Sequence, residues 1–213
     1  MAKQTPSRSP RWVPLIGVGL VVVIGLVALV LLTRDDAQGP PADASDATSP
    51  AVSSFRFTET SRAFVRTSKK RIGRRHRHAS IAAATKVQQV LTGLYEEGFF
   101  DPTNRAEGSY TDAFQGFSRG ARDRARARMA LFTAGDRFEQ IELRRARIAT
   151  RILLDRLGAP VLLVSTVQFS AHASGDDTVL LRSTGQFLFE RVGPTWKIVS
   201  FRVDRDDRPR EAA

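Results

Sequence analysis

The sequence predicts an α+β protein in which an N-terminal transmembrane helix precedes two or three helices packed on a curved, four-stranded antiparallel sheet. An uncharged apolar run lies near the N-terminus, and apolar residues recur at three- and four-residue steps from residue 80. After residue 137, apolar and polar residues alternate between short turns. Once an anchor and a tether are set aside, the 213-residue chain has room for one domain.

The run from Trp12 to Thr33 is the predicted anchor. It contains 22 residues and no charge, and about 20 apolar residues are enough to cross a bilayer as a helix. A secretory signal has a shorter apolar stretch of about 7–15 residues, so we expect the segment to be retained. The chain has no cysteine, which excludes disulfides, thiolate metal sites and a lipid-modified cysteine.

The charges on either side of the anchor predict its orientation. Residues 1–11 contain three basic residues and no acid, whereas Arg34 is followed by four aspartates before residue 47. The positive-inside bias places the N-terminus in the cytoplasm and the domain outside, in a single-pass protein of the plasma membrane. One feature opposes this orientation, because residues 62–77 are also strongly basic. They begin beyond the roughly 15–20 residues that set topology.

Composition divides the chain into successive regions. Residues 35–54 are small, acidic and proline-rich, which predicts a flexible tether. Of the net charge of +11, residues 54–78 carry +8, with nine basic residues and one acid. The predicted organisation is a cytoplasmic N-terminus (1–11), the anchor (12–33), the tether (34–54), a basic juxtamembrane segment (55–79), a folded domain (80–207) and a disordered C-terminus (208–213).

The basic segment has two interpretations. Phe57, Phe64, Val65 and Ile72 are compatible with one thin apolar face of a basic helix lying on anionic lipid. Alternatively, the segment is a solvated linker. If it binds lipid, a fragment starting at Ser54 should bind anionic vesicles, whereas one starting at Ala79 should fold equally well but bind little. The candidate lipid-binding residues are Arg62, Arg66, Lys69, Lys70, Arg71, Arg74, Arg75 and Arg77.

Three helical stretches are predicted next. Ile81, Ala84, Val87, Leu91, Leu94 and Tyr95 form the stripe of a long helix that we expect to end at Gly98. Asp101 followed by Pro102 predicts a capped helical turn that ends at Gly108. A further helix is predicted over 119–133, with Met129 among its apolar residues.

Four consecutive strands follow, at 138–155, 161–173, 178–192 and 195–204, joined by glycine- and proline-containing turns. The apolar set of the first strand shifts along its length, which predicts a bulge near Arg144 and Arg145. Alternation in the next two strands predicts that one face, covered by the helices around Val87 and Met129, holds Val167, Phe169, Phe187 and Phe189.

Residues 80–207 resemble the nuclear transport factor two-like superfamily, which includes ketosteroid isomerases and polyketide cyclases, and its anchored, Mce-associated members from actinobacteria. The resemblance rests on the segments LYEEGFFDPTNRAEGSYTDAF, RMALFTAG, LLDRLGAPVLLVSTVQFSA and GPTWKIVSFRVDRDD. It implies a cone-shaped domain and a tendency to pair or bind, because members include enzymes and non-enzymes.

The candidate pocket residues of such a cone are Tyr95, Tyr110, Asp112, Asp155 and His172, which form no recognisable catalytic motif. Tyr95 is more typical of a core residue and His172 of a solvated strand end. His76 and His78 lack a nearby third ligand and lie among arginines, so we expect no metal and no cofactor.

We therefore expect an accessory module of the cell envelope that binds a partner protein or a small hydrophobic ligand, with homo-oligomers among its forms. The alternative is a small lyase or isomerase that uses the cone as a pocket. A nucleic acid partner is not expected outside the cytoplasm, although the basic run could contact phosphates.

Overall fold

A computed structural model describes residues 55–66, 72–175 and 177–209. The predicted anchor and tether lie outside these residues, as do the predicted C-terminal residues 210–213. Within the described part of the chain, no helix is long and apolar enough to cross a membrane.

The structure corrects the predicted fold class, because the sheet has five strands and is mixed. The strands are β1 (Glu59–Arg66), β2 (Phe138–Leu154), β3 (Pro160–Gly175), β4 (Thr178–Val192) and β5 (Thr195–Pro209). They lie in sequence order, with β1 parallel to β2 and all other neighbours antiparallel. The predicted four-stranded antiparallel sheet is therefore wrong, because it lacks the parallel edge strand β1.

The added strand comes from the segment that was expected to stand apart as a basic juxtamembrane region. Residues of β1 alternate across the sheet, and Phe64, opposite Ile152, packs against the core. Phe55, just before β1, is only 1% exposed and packs between Tyr95 and Phe169. The correction has a physical cause: the apolar residues of this segment pack against β2, β3 and the Arg74–Tyr95 helix, and the two strands are far away in sequence.

The first helix, α1 (Arg74–Tyr95), begins before the predicted start. Its buried residues include Ala84, Val87, Leu91 and Leu94, as expected, whereas Ile81 is exposed. Gly98 does not end the helix in the way predicted, since a π-helical turn continues from Glu96 to Phe100. Gly98 is needed for close approach instead, because a Cβ there would lie 2.1 Å from the carbonyl oxygen of Phe132.

The next helices are short. Asp101 caps α2 (Pro102–Glu107) by accepting bonds from the Thr103 and Asn104 N–H groups, and Gly108 ends it with φ +64°, which confirms both predicted signals. The helix expected over 119–133 is wrong in length: α3 covers only Arg119–Arg126, with a 3₁₀ turn at Met129–Leu131. A further 3₁₀ turn covers Asp112–Phe114.

The strands β2 to β5 confirm the four strand predictions to within a few residues. The register of β2 shifts between Leu143 and Arg145, which confirms the predicted bulge. We call the sheet face covered by the helices the inner face and the opposite one the outer face. Val167, Phe169, Phe187 and Phe189 are all buried on the inner face as predicted, but Met129 is 40% exposed and does not cover them.

Candidate functional site

The space between the helices and the inner face is filled by aromatic rings. One cluster places neighbouring ring centroids 5.0–6.4 Å apart and consists of Phe55, Phe57, Tyr95, Phe99, Phe100 and Phe169. A second has centroids 5.1–5.9 Å apart and consists of Phe114, Phe117, Phe132 and Phe201. Such rings bury large areas and prefer offset or edge-to-face contacts. The inside of the predicted cone is therefore occupied by the protein's own side chains.

Tyr95, the first candidate pocket residue, belongs to this core. Its ring stacks between those of Phe55 and Phe99. Burial raises the pKa of Tyr95 well above its ordinary value, and the nearby Ser183 hydroxyl opposes this only in part. Among the described residues no carboxylate is buried, so the Tyr95 hydroxyl has no acid beside it in the interior.

The other candidate pocket residues lie in separate places. Asp112 is exposed and accepts a bond from Gln115 Nε2 at 2.6 Å. Asp155 shapes the β2–β3 turn, since its Oδ1 accepts the Leu157 and Ala159 N–H groups at 2.8 Å each. His172 lies on the outer face between Glu142 and Leu180. The structure thus does not bring Tyr95, Asp112, Asp155 and His172 together.

The candidate lipid-binding residues are described only in part. Arg62 is exposed on the edge strand β1, and Arg74, Arg75 and Arg77 are exposed in the first turns of α1. The side chain of Arg66 and the residues Lys69, Lys70 and Arg71 lie outside the described residues. No acidic residue lies in the first turn of α1, so the positive end of the helix dipole adds to the arginine charges.

The outer face is not covered by any described helix or strand. At the β2–β3 turn end it carries an apolar strip, consisting of Val65, Leu153, Leu162, Val164 and Leu188, all of which are exposed or half-buried. The register places Leu153 beside Leu162, and Val164 beside Leu188. We call these five residues the outer strip.

Charges on the rest of the outer face mostly pair with one another. Glu59 contacts Arg147 at 2.5 Å, and Arg208 contacts Asp206 at 2.6 Å. Arg202 lies 3.7 Å from Asp204. Exposed pairs of this kind contribute only about 0–1 kcal/mol each. On this face, burial from water is therefore most favourable in free energy at the outer strip.

A cleft of about 820 Å³ lies at the opposite end of the sheet, where α2 and residues 129–137 approach the end of β5. Tyr110, Arg137, Arg205 and Asp207 are among its lining residues. Asp207 binds both arginines, and the remaining Arg205 donors bind the carbonyl groups of Ala130 and Thr133. We call this space the end cleft.

Sequence reasoning found Tyr110 but missed the arginines of the end cleft. Arg137 and Asp207 are 70 positions apart, so no local motif connects them. One signal was present: Arg205 and Asp207 are two residues apart on a strand, which places both side chains on the same face.

No protein-family model matches the chain, and a search of curated proteins finds no match either. The resemblance to the nuclear transport factor two-like superfamily therefore stays a prediction.

Proposed function

We propose that this chain is a membrane-tethered accessory module of the cell envelope, which binds through its outer face and works as a pair of identical copies. The observation that carries the proposal is the outer strip, an apolar surface that no described element covers. Burying such a surface is favourable by roughly 25 cal/mol per Å² of apolar area. A sheet face of this kind supports pairing by face-to-face packing, with the two sheets about 10 Å apart.

The charges around the outer strip favour a second copy as its occupant. Arg151 lies on β2 beside Val164, and Glu190 lies on β4 beside Leu162. A twofold axis parallel to β3 lays β2 of one copy over β4 of the other. Arg151 of each copy then comes within two residue steps, roughly 7 Å along the strand, of Glu190 in the other copy. The strip is thus self-complementary in both polarity and charge.

The packed interior supports binding over catalysis. The alternative of a lyase or isomerase needs an internal space with an acid or base positioned at a substrate. Two aromatic clusters fill that space in the described part of the chain, and the polar side chains buried there include no carboxylate. An enzyme of this kind would have to open its own core.

The membrane location follows from the sequence alone. The uncharged segment 12–33 is expected to hold the chain in the plasma membrane with the domain outside, where anionic lipid is the expected contact of the basic residues. In this arrangement two tethered copies share one membrane plane, which raises their effective concentration for pairing.

The test is the oligomeric state of the full chain in lipid nanodiscs, measured by mass photometry. We expect a dimer that Leu162→Asp converts to a monomer, because a charge would then be buried in the strip. Thr184→Asp, on the same face but outside the strip, is the matched control and should leave the dimer intact.

A monomeric wild-type chain would contradict the pairing. If such a monomer co-purified with a different protein that the Leu162→Asp variant fails to retain, the occupant of the strip would be that protein instead. Equal loss of pairing in both variants would show that the strip is not the contact.

A further inference from the structure

The end cleft combines an apolar wall with polar side chains. Ala106, Met129 and Leu131 provide apolar surface, and Tyr110, Arg137 and Asp207 provide the polar groups. Its volume of about 820 Å³ lies within the roughly 300–1,000 Å³ typical of small-molecule sites. Size and lining therefore suit a small ligand with an apolar body.

One buried side chain of the cleft lining, Tyr110, and one buried side chain next to the lining, Arg105, have unused hydrogen-bonding capacity. Tyr110 is only 5% exposed, and the Gly135 backbone N–H acts on its oxygen, yet the hydroxyl's own proton has no acceptor among the described residues. Arg105, which is 7% exposed, donates from Nη2 to the Glu139 carbonyl at 3.1 Å, while its Nε and Nη1 have no partner. Buried polar groups without partners are rare and cost stability. Both residues are among the described ones that most need an acceptor.

The ionic groups of the cleft also include hydrogen-bond donors that have no acceptor. Asp207 is already bound by Arg137 and Arg205, and Arg205 spends its other donors on backbone carbonyls. Arg137 is 57% exposed, uses Nη2 for Asp207 and lies with its guanidinium carbon 4.5 Å from the centre of the Phe138 ring; among the described residues its Nε and Nη1 have no hydrogen-bond partner. Glu107 and Asp136 lie at the exposed rim, and the Asp136 carboxylate is close enough to contribute to the raised pKa of Tyr110. The unspent groups inside the cleft are therefore donors.

The electrostatic setting keeps Tyr110 a donor. Burial raises the pKa of Tyr110, the Arg105 cation and the Gly135 backbone lower it only in part, and the Asp136 carboxylate adds to the rise. The phenol therefore stays protonated at neutral pH, and a cation lies close to it. A hydroxyl in that setting favours an anionic acceptor, because hydrogen bonds to charged groups are stronger than neutral ones.

We propose that the end cleft binds a small carboxylate with an apolar body. The carboxylate accepts hydrogen bonds from the Tyr110 hydroxyl and from Arg137, and the apolar body lies on Met129 and Leu131. This site is distinct from the outer face, so it provides the module with a small-molecule ligand in addition to its protein contact.

The test uses the full chain in lipid nanodiscs and ligand-observed NMR with 4-phenylbutyrate as the probe. The amide 4-phenylbutyramide has the same body without the charge, and we expect it to bind more weakly. Tyr110→Phe should lower the affinity for the acid about tenfold, the effect of losing one hydrogen bond to a charged group. Tyr95→Phe removes a hydroxyl from the other buried tyrosine and should leave the affinity for the acid unchanged. Partition into lipid is the same for both variants and cancels in the comparison.

Arg137→Gln is a second test of the same binding, because this exposed side chain can be changed even if Tyr110→Phe fails to fold. We expect it to lower the affinity for the acid but not for the amide. Binding of the acid that is equal in wild type, Tyr110→Phe and Arg137→Gln would overturn the proposal. So would equal affinity for acid and amide, or no binding of the acid to the wild-type chain.

Discussion

The two faces of one sheet differ in what their side chains do. On the inner face, Phe169 and Phe187 are buried under the helices. Gln168, next to Phe169, and Thr184, three residues before Phe187, are exposed on the outer face. A strand sends alternate side chains to opposite faces. The same two strands therefore support stability on one side and leave the other side, where we propose recognition, to solvent, and substitutions one residue apart should separate the two roles.

Removing β1 should affect stability and the outer strip at once, because β1 contributes residues to both faces. A fragment starting at Ala79 loses Phe55 and Phe64 from the core side and Val65 from the outer strip. Losing a buried phenylalanine alone costs roughly 3–5 kcal/mol, against a typical total stability of about 5–15 kcal/mol. We expect this fragment not to fold, whereas one starting at Ser54 should fold, as measured by circular dichroism and thermal unfolding. Equal melting temperatures would show that β1 is dispensable.

Phe169 and Gln168 test the inner and outer faces at adjacent positions. The Phe169 ring has four aromatic neighbours with centroids at 5.0–6.2 Å. Phe169→Ala should therefore lower the free energy of unfolding by about 3–5 kcal/mol. Gln168→Ala should change it by less than about 0.5 kcal/mol. Urea denaturation measures both, and similar losses would mean that the faces do not differ as described.

Gly185 tests how tightly the inner face is packed. A Cβ there would lie 2.5 Å from a ring carbon of Phe187 and 3.4 Å from the Tyr95 hydroxyl oxygen. Gly185→Ala should therefore destabilise the domain by about 1–3 kcal/mol through overpacking. The same substitution at Gly120, an exposed position of α3 with open space around it, should stabilise it by about 0.4–1 kcal/mol. Melting temperatures that shift in the same direction would contradict this account.

The exposed arginines of α1 lie on neither face and should have the smallest effect on stability. Replacing Arg74, Arg75 and Arg77 with glutamine removes like charges from the positive end of the helix dipole, so stability should rise only slightly at physiological salt. Binding to anionic vesicles should fall, and the binding that remains should depend less on salt. Unchanged co-sedimentation with such vesicles would exclude these arginines as the lipid contact.

Most strands could be predicted because their signals are local. Alternation and turn residues located β2 to β5, and the shift of the apolar set located the bulge before Arg145. The strand β1 could not be found in this way. Its partner residues begin at Arg147, 88 positions after Glu59. The apolar residues in and around it, Phe57, Phe64, Val65 and Ile72, fit a basic helix equally well. Parallel pairing between residues so far apart produces no local sequence pattern.

The end cleft was less predictable than the fold. The sequence singled out Tyr110 as a tyrosine near a predicted pocket, but its neighbours Arg105 and Arg137 looked like ordinary surface arginines. Their different environments come from tertiary contacts: Arg105 is buried against the Glu139 carbonyl and Arg137 binds Asp207. In a chain with 33 basic residues, arginine identity alone carries little information about site location.

The parallel pairing of β1 also sets an order of events in folding. The ribosome makes β1 before α1, yet β1 has no partner until β2 has been completed almost ninety residues later. Contacts between residues so distant in sequence form slowly, because a long loop must close first. Until then Phe55 and Phe64 stay exposed on the nascent chain. The part of the domain closest to the predicted anchor is thus made first but stays unpaired until β2 has followed, and a pause in synthesis before residue 147 would leave the emerging chain open to aggregation.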